Sequence, residues 1–463
     1  MLKGLALQLN KLPTIGHDGF FSSYISAFRF LTQAPNMVQE GYDKYPGQAF
    51  KIPMLDRWLV VVSGTDMVDD IRKADLDDLS LREAFLQFFH LRALFGTEIF
   101  PNEIIQGDLT RNIAAKFPDM YDEMVAAFHD EIPLTEDWNK VPTLARVLNI
   151  VCRTSNRLLV GLPLCRDKEW TALVIQYSFH AFMAVPKTNL FPRFMHGRLY
   201  MQRARELLDP VVAEHMKNEK SLSDDAAEGD FLTWLIRGAP SHAQDPQYFA
   251  SNILGVNFAS AHMTSTAVTH ALINLTLHPK YVGALRKEVA AAIELEGWSK
   301  AAMGRMPMLD SFLKESMRVN TSGSLGVRRV VLKDFTFSNG TVVPADTFIS
   351  APTRSMHMDE NNYPNALEFD GLRFYHQREE EGESYKHQMI APQPSYVAFG
   401  IGKAACPGRF FAVNEIKTIV AYVLTTYDLE LDGADHGSEI GEFSVGRIMA
   451  SKIPLMFRKR KDI

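Results

Sequence analysis

The run Phe399-Gly400-Ile401-Gly402-Lys403-Ala404-Ala405-Cys406-Pro407-Gly408-Arg409 constrains what this chain can become more than any other stretch. Its three glycines permit tight turns and let bare backbone approach something flat, and the apolar periodicity after Cys406 predicts a helix. Cys406 is thereby placed just before a helix N-terminus, where the first amide N–H groups and the helix dipole favour a thiolate. A thiolate is a metal ligand. The competing reading, a buried structural cysteine, suits a lone thiol better than one flanked by these glycines.

The run resembles the haem-ligand signature of the cytochrome P450 family, Phe-Gly-x-Gly-x-His/Arg-x-Cys-x-Gly, and its Cys-Pro-Gly-Arg-Phe-Phe-Ala ending is similar to that of fungal members. The resemblance implies a mainly α fold with small β-sheets, the P450 fold, holding haem b between a long central helix and the cysteine loop with its following helix. It makes Cys406 the axial metal ligand, with thiolate electron density favouring O–O cleavage. Phe399, Gly400, Lys403 and Gly408 are carried over with it as cofactor-binding positions. One position departs from the pattern. Two residues before the cysteine, where the family has a basic residue near a haem propionate, stands Ala404, so either Lys403 supplies that charge or nothing does.

A chain of 463 residues with 46% hydrophobic composition can bury a large core, and no Gly/Ser- or Pro-rich stretch divides it. The net charge of −6, with basic residues scattered, argues against nucleic-acid binding. Three cysteines, Cys152, Cys165 and Cys406, are too few and odd in number for a disulfide framework, as a reducing compartment allows. Asn-x-Ser/Thr triplets at Asn274, Asn320 and Asn339 are expected by chance and are read as unglycosylated. No apolar run long enough to span a bilayer occurs, and Leu12-Pro13-Thr14-Ile15-Gly16 is similar to the family's hinge without its anchor. The expected organisation is a hinge-like segment over 1–20 and a single catalytic domain over 21–463. With the family resemblance this implies the cytosolic face of the endoplasmic reticulum membrane, or a soluble cytoplasmic protein.

Phe50-Lys51-Ile52-Pro53 and Trp58-Leu59-Val60-Val61-Val62-Ser63 predict strands of a small N-terminal sheet. From about residue 110 helical periodicity dominates, and Gly238 to Pro246 reads as a loop. Phe85, Phe88, Phe89, Phe95 and Phe100 are substrate-facing by resemblance and ordinary core by composition. A Trp/His-x-x-x-Arg element has only Arg111 as a weak candidate. In the segment from Trp170 to Phe194, Phe191 and Phe194 beside Lys187 and Arg193 are read as a peripheral membrane contact.

Residues 249 to 277 read as one long helix stopped by His278-Pro279. Its centre, Phe258-Ala259-Ser260-Ala261-His262-Met263-Thr264-Ser265, is similar to the family's oxygen-binding segment, in which small residues precede an acid or His and then a threonine that helps protonate dioxygen. Aligned so, His262 takes the acid position and Met263 the threonine position. A thioether donates no proton. Thr264, one residue on, points about 100° around the helix. A buried His on such a helix is also an ordinary hydrogen-bonded core residue.

Pro307 to Arg318 has helical apolar spacing, which makes Glu315 and Arg318 neighbours one turn apart. With Arg373 in Phe369-Asp370-Gly371-Leu372-Arg373-Phe374, they match the family's Glu-Arg-Arg triad, a structural lock for the cysteine loop. Arg329, five residues before Asp334, matches the propionate-binding arginine of relatives, and its forked donors suit a carboxylate. By resemblance, 324–327 and 445–449 are turns facing substrate.

The resemblance thus implies a monooxygenase oxidising a hydrophobic small molecule, such as a terpenoid or other secondary metabolite, with O2 and electrons from NADPH through NADPH-cytochrome P450 reductase. Met263 raises a second reading: P450 chemistry without insertion, such as desaturation, rearrangement or coupling. A haem-binding protein without turnover is the third.

Overall fold

The structure, a computed structural model, describes residues 9–88, 101–183, 193–219, 229–240, 245–433 and 453–461. The expectations placed on Phe89, Phe95, Phe100, Lys187, Phe191, the side chains of Arg193 and Phe194, and 445–449 lie outside the described residues. Two compact units form, one from the described residues up to Phe88 together with Lys314–Cys406, the other from those after Phe88 up to Leu313 together with the described segments from Pro407 onward.

The first unit is built on a five-stranded sheet in the order Ala49–Pro53, Trp58–Val62, Phe348–Ala351, Gly326–Val331, Leu79–Ser80. Trp58–Val62 pairs parallel with Phe348–Ala351 and the other neighbours are antiparallel. The sheet is apolar on both faces. Val60, Val62, Val331 and Ile349 join a cluster with Val68, Ile71 and Ile401, whereas Leu59, Val61, Val330 and Phe348 join another with Phe30, Phe50 and Ile52. Side chains alternate across a strand, so burial on both sides requires an unbroken apolar run, which is what Leu59-Val60-Val61-Val62 supplies. A helix over Ser22–Lys44 lies beside it, interrupted by non-helical Gln33 shortly before Pro35, whose missing N–H and ring disturb the preceding turn.

The second unit is helical. Its longest helix, Pro246–Leu277, is buried on nearly every side in its first third, as expected for a helix apolar all round. It begins three residues before the expected start and absorbs Pro246 from the expected loop. Asp245 accepts a 2.8 Å hydrogen bond from the Tyr248 amide, and Pro246 opens the first turn, where a missing N–H costs nothing. A buried amide pair fixes its neighbours: Asn156 on Thr143–Leu159 donates to Asn257 at 2.8 Å, and Trp170 on Lys168–Met183 donates to Asn156 at 2.9 Å. Helix Arg409–Thr426, which follows the cysteine loop, is tied by the buried pair Lys417–Asp310 at 3.0 Å. Ser155 donates to its Glu415 at 2.8 Å, and burial pushes that carboxyl up to about 8. A small sheet, Asn139–Val141, Leu455–Lys459 and Tyr427–Leu431, completes this unit.

Candidate haem-thiolate site

The cysteine loop is held at both ends of its glycine turn. Gly400 has φ +70° and donates to Val397 O at 2.9 Å, and the amide of Cys406 closes the loop on Phe399 O at 2.7 Å. Gly402 has φ +68°, and a Cβ there would stand 2.4 Å from the carbonyl oxygen of Arg72. Only glycine satisfies both the left-handed backbone and that approach. Between them Ile401 is fully buried in the cluster on one face of the sheet, so the loop is plugged into the core by its one large apolar side chain.

Gly408 differs. Its backbone is ordinary, with φ −86°, and a Cβ there would have Ile105 at 3.8 Å as its nearest neighbour. Nothing local demands glycine, and the bare backbone is left for something outside the chain. The helix begins at Arg409, three residues after Cys406.

Burial separates the cysteines. Cys152 and Cys165 are buried, and their thiols are pushed up to about 12 and about 11, chiefly by desolvation, whereas Cys406 is partly exposed. Cys406 is therefore the thiol among the three that can reach a metal.

Glu315, Arg318 and Arg373 come together. The Glu315 carboxylate accepts two bonds from Arg318, at 2.7 and 2.8 Å, one from Arg373 at 3.2 Å and one from the Asp370 amide at 3.0 Å. Glu315 and Arg318 are fully buried. The remaining guanidinium donors reach backbone carbonyls: Arg318 to His357 and Ala366 at 2.5 and 2.7 Å, Arg373 to Pro364 at 2.6 Å. Asp370 turns the chain before Gly371, its side chain accepting from the Leu372 amide at 3.1 Å.

His357 joins this lock and carries no signal in the sequence. Its Nε2 accepts the Val397 amide at 3.2 Å, which leaves the proton on Nδ1, facing Arg318 O at 3.3 Å. Its ring stacks on Tyr396 with centroids 5.3 Å apart. One imidazole thus links Arg318 to the strand of chain entering the cysteine loop. Burial, with Arg318 and Lys314 adding to it, pushes His357 down to about 3. Below about pH 6.5 the unfolded chain takes up a proton that the folded chain refuses until about pH 3, so stability falls as pH drops across that window. Between about pH 6 and about pH 4 the wild type should lose roughly 2 kcal/mol more unfolding free energy than His357→Gln, measured by urea denaturation. Equal losses in the two proteins would remove His357 as the acid-sensitive element.

Arg329 is buried, donates to Ile401 O at 3.2 Å and to Arg328 O at 2.7 Å, and meets no carboxylate among the described residues. Desolvation pushes it down to about 10. Lys403, in contrast, is exposed and paired with Asp75 on the surface. Arg111 is likewise exposed and paired with Asp108 at 3.0 Å.

In the second unit the long helix opens in its middle. Ala259 is exposed, and Ser260, His262, Met263, Thr266 and Ala267 are partly exposed, while Phe258, Ala261, Thr264, Ser265 and Val268 are buried. At 100° per residue, Ala259, Met263, Thr266 and Ala267 lie on one face, with Met263 at its centre. Thr264 falls on the buried side. His262 is partly buried, hydrogen-bonded to the Ile175 backbone, and its pKa is lowered, mainly by burial. The hydroxyl that shares the open face is that of Thr266, which makes no hydrogen bond to the described residues and which the sequence reading overlooked.

These residues fit the cofactor implied by the signature. In the first unit a partly exposed thiol and a buried guanidinium that meets no acid among the described residues fit a group with an iron and propionates, and in the second unit a helix face left bare by small side chains fits a flat group.

The cytochrome P450 family model matches residues 24–453. The chain is 36% identical over 479 aligned positions to cytochrome P450 monooxygenase 103 of Postia placenta, covering 100% of this chain and 96% of that one. It is 33% identical over 442 positions to cytochrome P450 monooxygenase AN1598 of Emericella nidulans, covering 91% and 82%. Its fold is similar to that of retinoic acid bound cyanobacterial CYP120A1, with TM-score 0.74 and 16% identity over 97% of this chain and 98% of the other. With the mostly helical architecture and its small sheets, these likenesses establish that the chain belongs to the cytochrome P450 family of monooxygenases, which bind haem through a cysteine thiolate.

Proposed function

We propose that Cys406 is the thiolate ligand and that the protein inserts oxygen from O2 into an apolar small molecule, a terpenoid or similar secondary metabolite, with electrons from NADPH delivered by NADPH-cytochrome P450 reductase. The observation that carries this reading is Cys406 itself, the accessible thiol on a loop locked at Gly400, Ile401 and Gly402. The haem supplies oxygen activation when bound. Arg329 would hold one of its propionates, exchanging buried, backbone-only contacts for a charge-assisted pair.

On the long helix Met263 excludes water from the centre of the open face and offers no proton. Thr266, one turn along the same face, holds the proton-donating hydroxyl in its place. Thr264 faces packed surroundings and takes no part, and His262, held by the Ile175 backbone at the edge of the open face, donates no proton. Thr266→Ala should lower the fraction of NADPH consumption that appears as oxygenated product by about a hundredfold, the low end of the range for a lost general acid, while Thr264→Ala leaves it within about twofold. Met263→Thr should raise that fraction. Unchanged product and unchanged coupling in Met263→Thr would take Met263 out of the chemistry. Desaturation or coupling product from the wild type, turning to hydroxylated product in Met263→Thr, would favour the second reading.

Peripheral association with a membrane, that of the endoplasmic reticulum, is supported from the first unit. Phe20, Phe21, Tyr24, Ile25 and Phe28 form an exposed apolar strip at i, i+3, i+4, i+7 spacing, with Phe21 84% exposed. None of the described helices is long and apolar enough to cross a membrane. Phe21→Ser combined with Phe28→Ser should abolish flotation with phosphatidylcholine vesicles, and undiminished flotation would remove this surface from the contact.

A further inference from the structure

Arg328 is a cation that meets no carboxylate among the described residues. It is half-buried on strand Gly326–Val331, and its guanidinium makes no ion pair and no hydrogen bond to the described residues. Other arginines withdrawn from solvent are served differently. Arg153 meets Glu123 and Asp130, and Arg318 and Arg373 meet Glu315. Arg329, the neighbour, satisfies donors on Arg328 O and Ile401 O.

What Arg328 does have is an aromatic floor. Its guanidinium carbon lies 4.6 Å from the centroid of Phe88, and the Phe88 ring stacks on Phe348 at 5.8 Å. The far side of that stack carries Arg57, which is already paired with Asp56 at 2.8 Å. A cation–π contact compensates part of the lost hydration of Arg328 but engages none of its five N–H donors in the guanidinium plane. Burial also pushes its pKa down to about 10, so its surroundings are not bulk water.

The backbone marks the same place. Pairing between Gly326–Val331 and Phe348–Ala351 slips by one residue between Gly326 and Arg329, and Val327 sits at φ +51°, a conformation a β-branched residue adopts only under strain. Strain and a bulge beside an unneutralised cation are features of a site more than of a scaffold.

We propose that Arg328 is a carboxylate-binding residue that holds the acidic end of an otherwise apolar substrate. The planar fork holds a carboxylate through two parallel N–H···O bonds, and the partly exposed Phe88 ring beside it receives the adjoining hydrocarbon. This rests on the reading of the protein as an oxidase of apolar small molecules and narrows the substrate class to apolar carboxylic acids. The same chemistry could serve a haem propionate, and the test separates the two.

The haem-loaded full-length protein is titrated at about pH 7.5 with dodecanoic acid and its methyl ester and with abietic acid and its methyl ester, followed by the Soret shift and by equilibrium dialysis. At least one acid should bind about tenfold or more tightly than its ester, Arg328→Gln should abolish that preference, and Arg328→Lys should keep part of it. Equal affinity of acid and ester, no binding of either acid, or a preference that survives in Arg328→Gln overturns the proposal. Loss of haem from Arg328→Gln alone, with the wild type loaded, assigns the carboxylate to the cofactor and overturns it too. The monooxygenase reading is judged separately, by the carbon-monoxide difference spectrum of the reduced wild type.

Discussion

Cys406→Ser should abolish the thiolate-shifted Soret band of the reduced carbon-monoxide complex and monooxygenase activity with it, while the double variant Cys152→Ser, Cys165→Ser should keep both. The difference follows from burial. A hydroxyl at position 406 does not ionise near neutral pH, so it cannot replace a thiolate as an anionic ligand. Cys152 and Cys165 cannot take over, since desolvation raises their thiols to about 12 and about 11 and both side chains are closed off from solvent. The loop itself should persist in Cys406→Ser, because it is held by backbone bonds at Val397 and Phe399 and by buried Ile401, none of which involves the sulfur. The unfolding free energy of the cofactor-free variant is expected within about 1 kcal/mol of wild type, in the range of substitutions away from a packed core. A thiolate band retained by Cys406→Ser would end the assignment.

The second large effect is on folding. Glu315→Ala should cost about 3–5 kcal/mol, because it leaves the fully buried Arg318 guanidinium and the nearly buried Arg373 without the carboxylate that both share. Against a total stability of roughly 5–15 kcal/mol, that is enough to deplete the folded protein and its haem content together. Arg373→Lys should cost less, about 1–2 kcal/mol, since Arg373 makes one 3.2 Å contact to Glu315 and its other donors go to carbonyls, some of which a lysine ammonium can reach. Urea denaturation of the cofactor-free proteins measures both. A loss under 1 kcal/mol in Glu315→Ala would show that the triad is not what holds the cysteine loop's support.

What could be read in the sequence was what short-range geometry dictates. The glycine turn before Cys406 was legible because left-handed backbone has a residue signature, and Glu315 with Arg318 because helical spacing places them one turn apart. The apolar run Trp58–Val62 announced a small N-terminal sheet, whereas its cover on both faces and the strands that join it after residue 325 came only with the fold. The start of the long helix was also written locally, in Asp245-Pro246, and was passed over because a proline was taken to end a loop when it opened a helix.

Other properties existed only once the chain had folded. His357 has no motif; its neutral state comes from burial, with the charges of Arg318 and Lys314 adding to it, and its hydrogen-bond partners Arg318 O and the Val397 amide are 39 and 40 residues away. Lys403 was aligned with a propionate and is turned to Asp75, 328 residues away in sequence. Which of Thr264 and Thr266 stays accessible depends on what buries each side of the helix. Arg328 and Arg329 are adjacent, identical side chains, yet only Arg329 finds acceptors. The sequence by itself determined the glycine-turned cysteine loop, the helix spacing that pairs Glu315 with Arg318, and the family. The tertiary structure alone decided which charges are buried and what neutralises them. Turn, cap and helix-face preferences are set by residues a few positions apart, whereas the free energy of a charge depends on every segment packed around it.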